Sequence, residues 1–151
     1  MATEIAESSR VRHNLALMKK GDDAFNRQDH SAMDAAHHRN LVAHIMGSTE
    51  PIRGQAAHLA AMEGLFRAFP DIRVDNDYVV QFGVGDWTTV INKVAGTFTG
   101  ELMQPDGTVI AGTGRSFEVA LTTTARWAGE QMVEEWVFWD TALMAEQIGL
   151  A

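Results

Sequence analysis

The residues best equipped for chemistry lie in the run MVEEWVFWD, Met132 to Asp140, where bulky hydrophobes lead into a carboxylate. On an extended strand successive side chains alternate between faces. Met132, Glu134, Trp136, Phe138 and Asp140 are therefore expected on one face, and Val133, Glu135, Val137 and Trp139 on the other. A strand this apolar on both faces should be covered on both. Burial beside Trp136 and Phe138 would disfavour the charged form of Asp140 and turn it into a proton carrier useful near neutrality. The competing role is structural: Asp140 precedes Thr141 and a short helical run, and can cap that helix through a backbone amide. From spacing alone the cap is the stronger reading.

His44 alternates with Val42 and Met46 in a short strand candidate. It could hydrogen-bond a substrate carbonyl or pair with Asp140 to pass a proton, although a lone histidine at a strand end is more often a satisfied structural residue. Glu134 shares the face of Asp140 and reads better as half of a rim salt bridge. His37, His38 and His44 invite a metal reading. Adjacent helical residues point about 100° apart, however, and the chain has no HExxH spacing, so no metal is expected. Gly83-Val-Gly85 links two strand candidates with no helix behind it, which makes a hairpin rather than a phosphate loop. There is no GxSxG segment for a hydrolase nucleophile.

These side chains need elements to carry them. Leu17, Met18, Gly21, Ala24 and Phe25 recur at helical spacing between Ser8 and Arg27, and Asp29 or Ser31 can cap a second helix through Ala36 or His37. Asn40 to Met46 reads as a strand. A third helix is expected from Gln55 to Phe69, with Leu59, Met62, Phe66 and Phe69 on one stripe and Pro70 as its stop. Strand-like runs follow at Arg73 to Phe82, Trp87 to Thr99, Val109 to Thr124 and Gln131 to Asp140, separated by turn-forming residues. Thr141 to Gly149 closes with a short helix. Helices early and strands late indicate an α+β architecture. Its antiparallel meander should be curved by bulges or bends at Gly96, Gly100, Gly112 and Gly114, with the helices covering the concave side.

The 151 residues fit one domain able to bury a sizeable core, with the first nine residues as a frayed tail. There is no cysteine, which excludes thiol nucleophiles, thiolate metal sites and disulfides. No signal-like or membrane-spanning window is evident, so the cytoplasm is the default location. A net charge of −8 with scattered basic residues argues against nucleic acid or anionic membrane as partner. Eight methionines suit a core or cavity of irregular apolar shape.

The order of elements resembles the nuclear transport factor 2-like (cystatin-like) fold, a cone-shaped half-barrel with one apolar pocket between helices and sheet. Within it the sequence resembles the SnoaL-like polyketide cyclase and ester cyclase family. That likeness runs through DAFNRQD at Asp23 to Asp29, HIMGSTEPIRG at His44 to Gly54 and LFRAFPDIRV at Leu65 to Val74. It continues in GTFTGEL at Gly96 to Leu102 and VEEWVFWDTALMAEQIGL at Val133 to Leu150. The resemblance implies intramolecular aldol ring closure of a hydrophobic polyketide ester without metal or organic cofactor, in a small homo-oligomer, commonly a dimer; the apolar strand surface left to cover makes a homodimer through the sheet the expectation. It also implies Asp140 as the acid or base, assisted by His44, with Trp136, Phe138, Phe98, Phe66, Phe69 and Met46 as candidates to line the pocket. Phe98 and Ile91 stand where the family often has a histidine and an arginine. The rival readings are a non-catalytic binding protein, or a dehydratase, hydrolase or hydroxylase on the same scaffold.

Overall fold

The computed structural model describes residues 8–151. Helix α1 spans Ser9–Asn26 and is capped by Ser8, whose side chain accepts from the Val11 amide at 3.2 Å. Of the residues expected in a frayed tail, Ser8 caps this helix and Ser9 begins it; residues 1–7 lie outside the described residues. Val11, Leu15 and Met18 form its buried stripe. Gln28, in the left-handed region at φ 53°, turns the chain into α2, His30–Ala36, and the cap is Asp29 rather than Ser31. β1 (His37–Ile45) starts three residues before the expected Asn40 and is followed by the short β2, Ile52–Arg53. α3 runs Gln55–Ala68, and Phe69 is its C-cap.

Arg73 to Phe82 is not one strand. It divides into β3 (Arg73–Val74) and β4 (Val80–Val84), because the Asp75 carboxylate accepts from the Asp77 amide at 2.9 Å and turns the chain between them. Both pieces still pair antiparallel with β5, Trp87–Thr97. Val109 to Thr124 divides likewise into β7 (Val109–Ala111) and β8 (Ser116–Ala128), with Gly112 and Gly114 in the break. A Cβ at Gly112 would stand 2.5 Å from the Phe98 carbonyl oxygen, so only glycine lets the backbones pass this closely. β7 forms a separate hairpin with β6, Glu101–Met103, which the sequence reading missed. β9 is Gln131–Trp139 and α4 is Thr141–Ile148.

The main sheet runs β2-β1-β9-β8-β5-β3, with β4 also on β5; it is curved and unclosed, as expected. All its pairings are antiparallel except β1 with β9. One core cluster joins Val11, Leu15, Met18, Leu41 and Val90 with Trp127. The fully buried Trp127 donates its ring N–H to Thr88 Oγ1 at 2.9 Å, so it serves as a core anchor. No helix among the described residues is long and apolar enough to cross a membrane.

One irregularity decides which side chains face inward. Along β8 and β9, Arg126 pairs with Glu134 but Trp127 pairs with Met132, leaving Val133 as an extra residue in a β-bulge. The bulge resets the alternation, so Met132 and Glu135, three apart, both face the concave side.

Candidate active site

A cavity of about 460 Å³ lies between the helices and the concave face of the sheet, within the range of small-molecule sites. α1 contributes Met18, Gly21, Asp22 and Phe25, which share one helical face; α3 and α4 add Met62, Leu65, Met144 and Ile148. Val94, Leu121, Val137 and Trp139 rise from the sheet. The wall is therefore mainly apolar, and the polar groups in it stand out: Asp22, His37, His58, Thr123, Glu135 and Thr141.

Asp22 is the first of these. Tyr78, from the segment between β3 and β4, donates its hydroxyl to Asp22 Oδ2 at 2.6 Å. Burial pushes the Asp22 carboxyl up to about 7; the Tyr78 hydrogen bond opposes this, and the charges of Asp23 and Glu135 add to it. Burial, reinforced by the Asp22 charge, also raises Tyr78, which keeps its proton as the donor. The Lys19 ammonium lies 5.3 Å from the centroid of the Tyr78 ring.

The second polar feature joins three elements: His37 at the start of β1, His58 on α3 and Glu135 on β9. All three are buried, and one ligand atom from each lies within 4.8 Å of the other two. His37 Nδ1 sits 2.7 Å from the Met33 carbonyl oxygen, which can only accept, so Nδ1 carries the proton and Nε2 is left free. His58 Nε2 is 2.9 Å from Glu135 Oε1 and His37 Nε2 is 3.9 Å from it. No ring N–H aligns on that oxygen in hydrogen-bond geometry; the group is held by charge and proximity. Burial alone would raise the Glu135 carboxyl, but the His58 contact and the charges of both histidines outweigh it and hold the carboxyl below the usual range. Burial pulls His37 down, towards the neutral imidazole.

The residues expected from the sequence fall in different places. Asp140 is exposed, caps α4 by accepting from the Leu143 amide at 2.9 Å, and does not line the cavity, although Trp139 and Thr141 beside it do. The dry surroundings expected for it are absent. His44 lies on the outer face of the sheet, stacked on Trp136 at 4.2 Å between centroids, with its Nε2 3.9 Å from Glu134 Oε2. Phe138 is exposed at 47%; Phe98 is fully buried away from the cavity, and Phe66 packs on Phe25 at 5.0 Å. Of the expected lining residues only Phe69 and Met46 reach the cavity. The grouping expected for Glu134 to Trp139 holds, with Glu135, Val137 and Trp139 on one side and Glu134, Trp136 and Phe138 on the other; it is the first group that lines the cavity, and the Val133 bulge adds Met132 to it. Ile91 is likewise on the outer face, level with Val80 and Thr122.

Asp22 and Glu135 were overlooked, although each left a signal. Asp22 is a carboxylate inside the apolar stripe of its helix, four residues after Met18 and three before Phe25. Glu135 is an acid embedded in a strand that is otherwise apolar on its face. His37 converges with His58 rather than with its half-buried neighbour His38 or with His44.

Replacing Asp140 by alanine should cost about 1 kcal/mol, the usual value of a helix cap, and leave turnover near that of the wild type. Urea denaturation read beside product formation checks both; loss of turnover in a folded variant would return the chemistry to Asp140.

The sequence model of the SnoaL-like polyketide cyclases matches residues 16–148. No curated protein matches the sequence. Among solved structures, a candidate SnoaL-like polyketide cyclase from Jannaschia sp. CCS1 is similar at a TM-score of 0.82 and 18% identity, over 96% of this chain and 97% of that one. AclR of Streptomyces galilaeus, a candidate hydroxylase, gives 0.77 and 22% over 93% and 83%. A protein with a ketosteroid isomerase-like fold from Catenulispora acidiphila DSM 44928, in complex with trimethylamine, gives 0.72 and 14% over 89% and 93%. At these identities the fold is what is shared.

Proposed function

The chain belongs to the SnoaL-like polyketide cyclase family, and from that premise we propose that it closes a ring in a hydrophobic polyketide ester by intramolecular aldol addition, with Asp22 as proton carrier. One observation carries the assignment to Asp22: a carboxylate poised at about 7 by burial in the wall of an apolar cavity, with the Tyr78 hydroxyl fixing its orientation. An acid or base works best when its pKa lies near the working pH.

The ionised Asp22 takes a proton from a carbon flanked by carbonyls. The enolate carbon then bonds to a ketone carbon of the same chain, and the resulting alkoxide oxygen takes the proton back from Asp22. No atom is gained or lost. His58, backed by Glu135, faces the same cavity and supplies a polar group for the oxygen on which negative charge develops. The apolar wall orients the folded substrate, which lowers the entropy cost of ring closure.

Incubation with a panel of polyketide methyl esters, followed by mass analysis, tests this. The expected product has unchanged mass, and kcat/KM rises with pH through about 7 as Asp22 ionises. A product lighter by water or heavier by oxygen would replace the cyclase reading with a dehydratase or a hydroxylase, the latter being the activity named for AclR. No conversion of any ester would leave a binding protein.

The outer face of the sheet supports a homodimer. Phe82, Thr89, Thr124, Trp136 and His44 lie in register across five strands, beside a second row of Val80, Ile91, Thr122 and Phe138. Phe82 and Phe138 are 57% and 47% exposed in the single chain, an apolar surface that a second copy would cover. Light scattering after size exclusion should give twice the 16.6 kDa chain mass; a strict monomer would overturn the dimer.

A further inference from the structure

We propose that His37, His58 and Glu135 form a binding site for one divalent first-row transition-metal ion in the wall of the cavity. This deepens the cyclase reading, since it rests on the same cavity being the substrate site and names the group that faces Asp22 there.

The donor set is two imidazoles and one carboxylate, each on a different element: the junction of α2 with β1, helix α3 and strand β9. Ligand atoms around one tetrahedral ion with bonds of about 2.0–2.1 Å stand ~3.4 Å apart. The separations here, 2.9 Å from His58 Nε2 to Glu135 Oε1 and 3.9 Å from His37 Nε2, straddle that value, so small side-chain adjustments suffice. His37 is also oriented as a ligand should be. Its Nδ1–H is held by the Met33 carbonyl at 2.7 Å, which leaves the Nε2 lone pair directed at the group, the outer-shell arrangement that fixes tautomer and ring plane.

A second observation points to a cation independently of the cluster. Glu135 is 4% exposed, yet its Oε1 has no hydrogen-bond partner despite two imidazoles within 4 Å. A buried carboxylate oxygen without an aligned donor is costly, and a metal ion at the centre of the three groups satisfies it. Two nitrogens and one oxygen without a thiolate suit Zn²⁺, Co²⁺, Fe²⁺ or Ni²⁺ over Ca²⁺ or Mg²⁺. Three protein ligands leave the remaining coordination positions for an oxygen in the cavity. There the ion, held by His58 and in place of a direct contact from that ring, would polarise the substrate carbonyl beside the carbon whose proton Asp22 removes, a Lewis-acid role with no change of oxidation state.

The test is titration of chelator-stripped full-length protein with Co²⁺ and with Zn²⁺ alone, read by visible absorption and by calorimetry. One ion per chain is expected. Affinity should fall at least about 100-fold in His37→Ala, His58→Ala and Glu135→Gln, and stay unchanged in His38→Ala, whose side chain is not one of the three donors. Because buried substitutions can impair folding, the imidazole ¹⁵N resonances of the wild type provide a second readout. Zn²⁺ should shift Nε2 of His37 and His58 and leave His13 and His38 in place. Absence of stoichiometric binding, or binding that survives all three substitutions, would overturn the site. Asp22→Asn separates this inference from the cyclase reading: it should bind Co²⁺ as the wild type does while failing to cyclise esters. Metal binding in a protein that converts no ester would keep the site and remove the cyclase; ester cyclisation undiminished by chelation would remove the metal's part and keep the cyclase.

Discussion

Asp22→Asn should lower kcat for ring closure by at least about 100-fold, the usual contribution of a positioned acid or base, and at the same time make the folded protein more stable at pH 8. The two effects have one cause. In the unfolded chain Asp22 ionises near 3.8, whereas in the cavity it ionises at about 7. The protonated form is thus favoured by folding. The stability this proton contributes is fully present below pH 3.8 and is lost as the pH rises through about 7, above which the wild type holds a charge in an apolar wall. Asparagine carries no charge and its carbonyl oxygen can still accept from Tyr78. A shift of about 3 units has a ceiling of about 4 kcal/mol; with relaxation and water penetration about 2 kcal/mol is expected. Urea denaturation of both proteins at pH 4 and pH 8 should show the gain only at the higher pH. A variant that is inactive but no more stable at pH 8 would mean that Asp22 is not held in a dry site, and a fully active one would remove it from catalysis. Stability given up at a working residue is a frequent trade in enzymes.

Glu135→Leu should cost about 3 kcal/mol, because it leaves the buried His58 ring without the carboxylate 2.9 Å from its Nε2. Glu134→Gln, one residue earlier, should cost less than about 0.5 kcal/mol. Its partner His44 is 3.9 Å away on the outer face, and both side chains keep a quarter or more of their surface in contact with water. Equilibrium unfolding of the pair at pH 7 is therefore a direct test of which face of β9 is inside. Equal costs, or a larger one at Glu134, would reverse the assignment of the cavity wall.

Most of the architecture was legible because it rests on local signals. Ser8 and Asp29 cap helices where short polar residues precede apolar stripes, Pro70 follows the third helix, and the glycine-rich breaks fall between strands. The family was legible for the same reason, its motifs being strung along the chain in order. The cavity lies on the other side of the last strand from the one expected. Alternation from Glu134 to Trp139 groups the side chains as the fold does but does not say which group faces the helices, and the extra residue Val133, set by pairing with Arg126 and Trp127, moves Met132 to the face of Glu135. Asp22, Tyr78, His37 and His58 come together only through tertiary packing, from positions up to 56 residues apart in the case of the Asp22 and Tyr78 contact. Asp140 displays the opposite case: its local role as a cap, visible from spacing, is the one the fold uses.

The placement of β9 has a consequence for how the chain assembles. The last strand in sequence is not at the edge of the sheet; it lies between β1, which it meets in parallel, and β8. As the polypeptide emerges during synthesis, everything up to β8 can form only two separate half-sheets, each with an unpaired border able to recruit a neighbouring chain. Insertion of this strand seals both borders and delivers the Glu135 carboxylate, and α4 directly behind it completes the wall of the cavity. The interval before β9 inserts is therefore the point at which a chaperone would matter most.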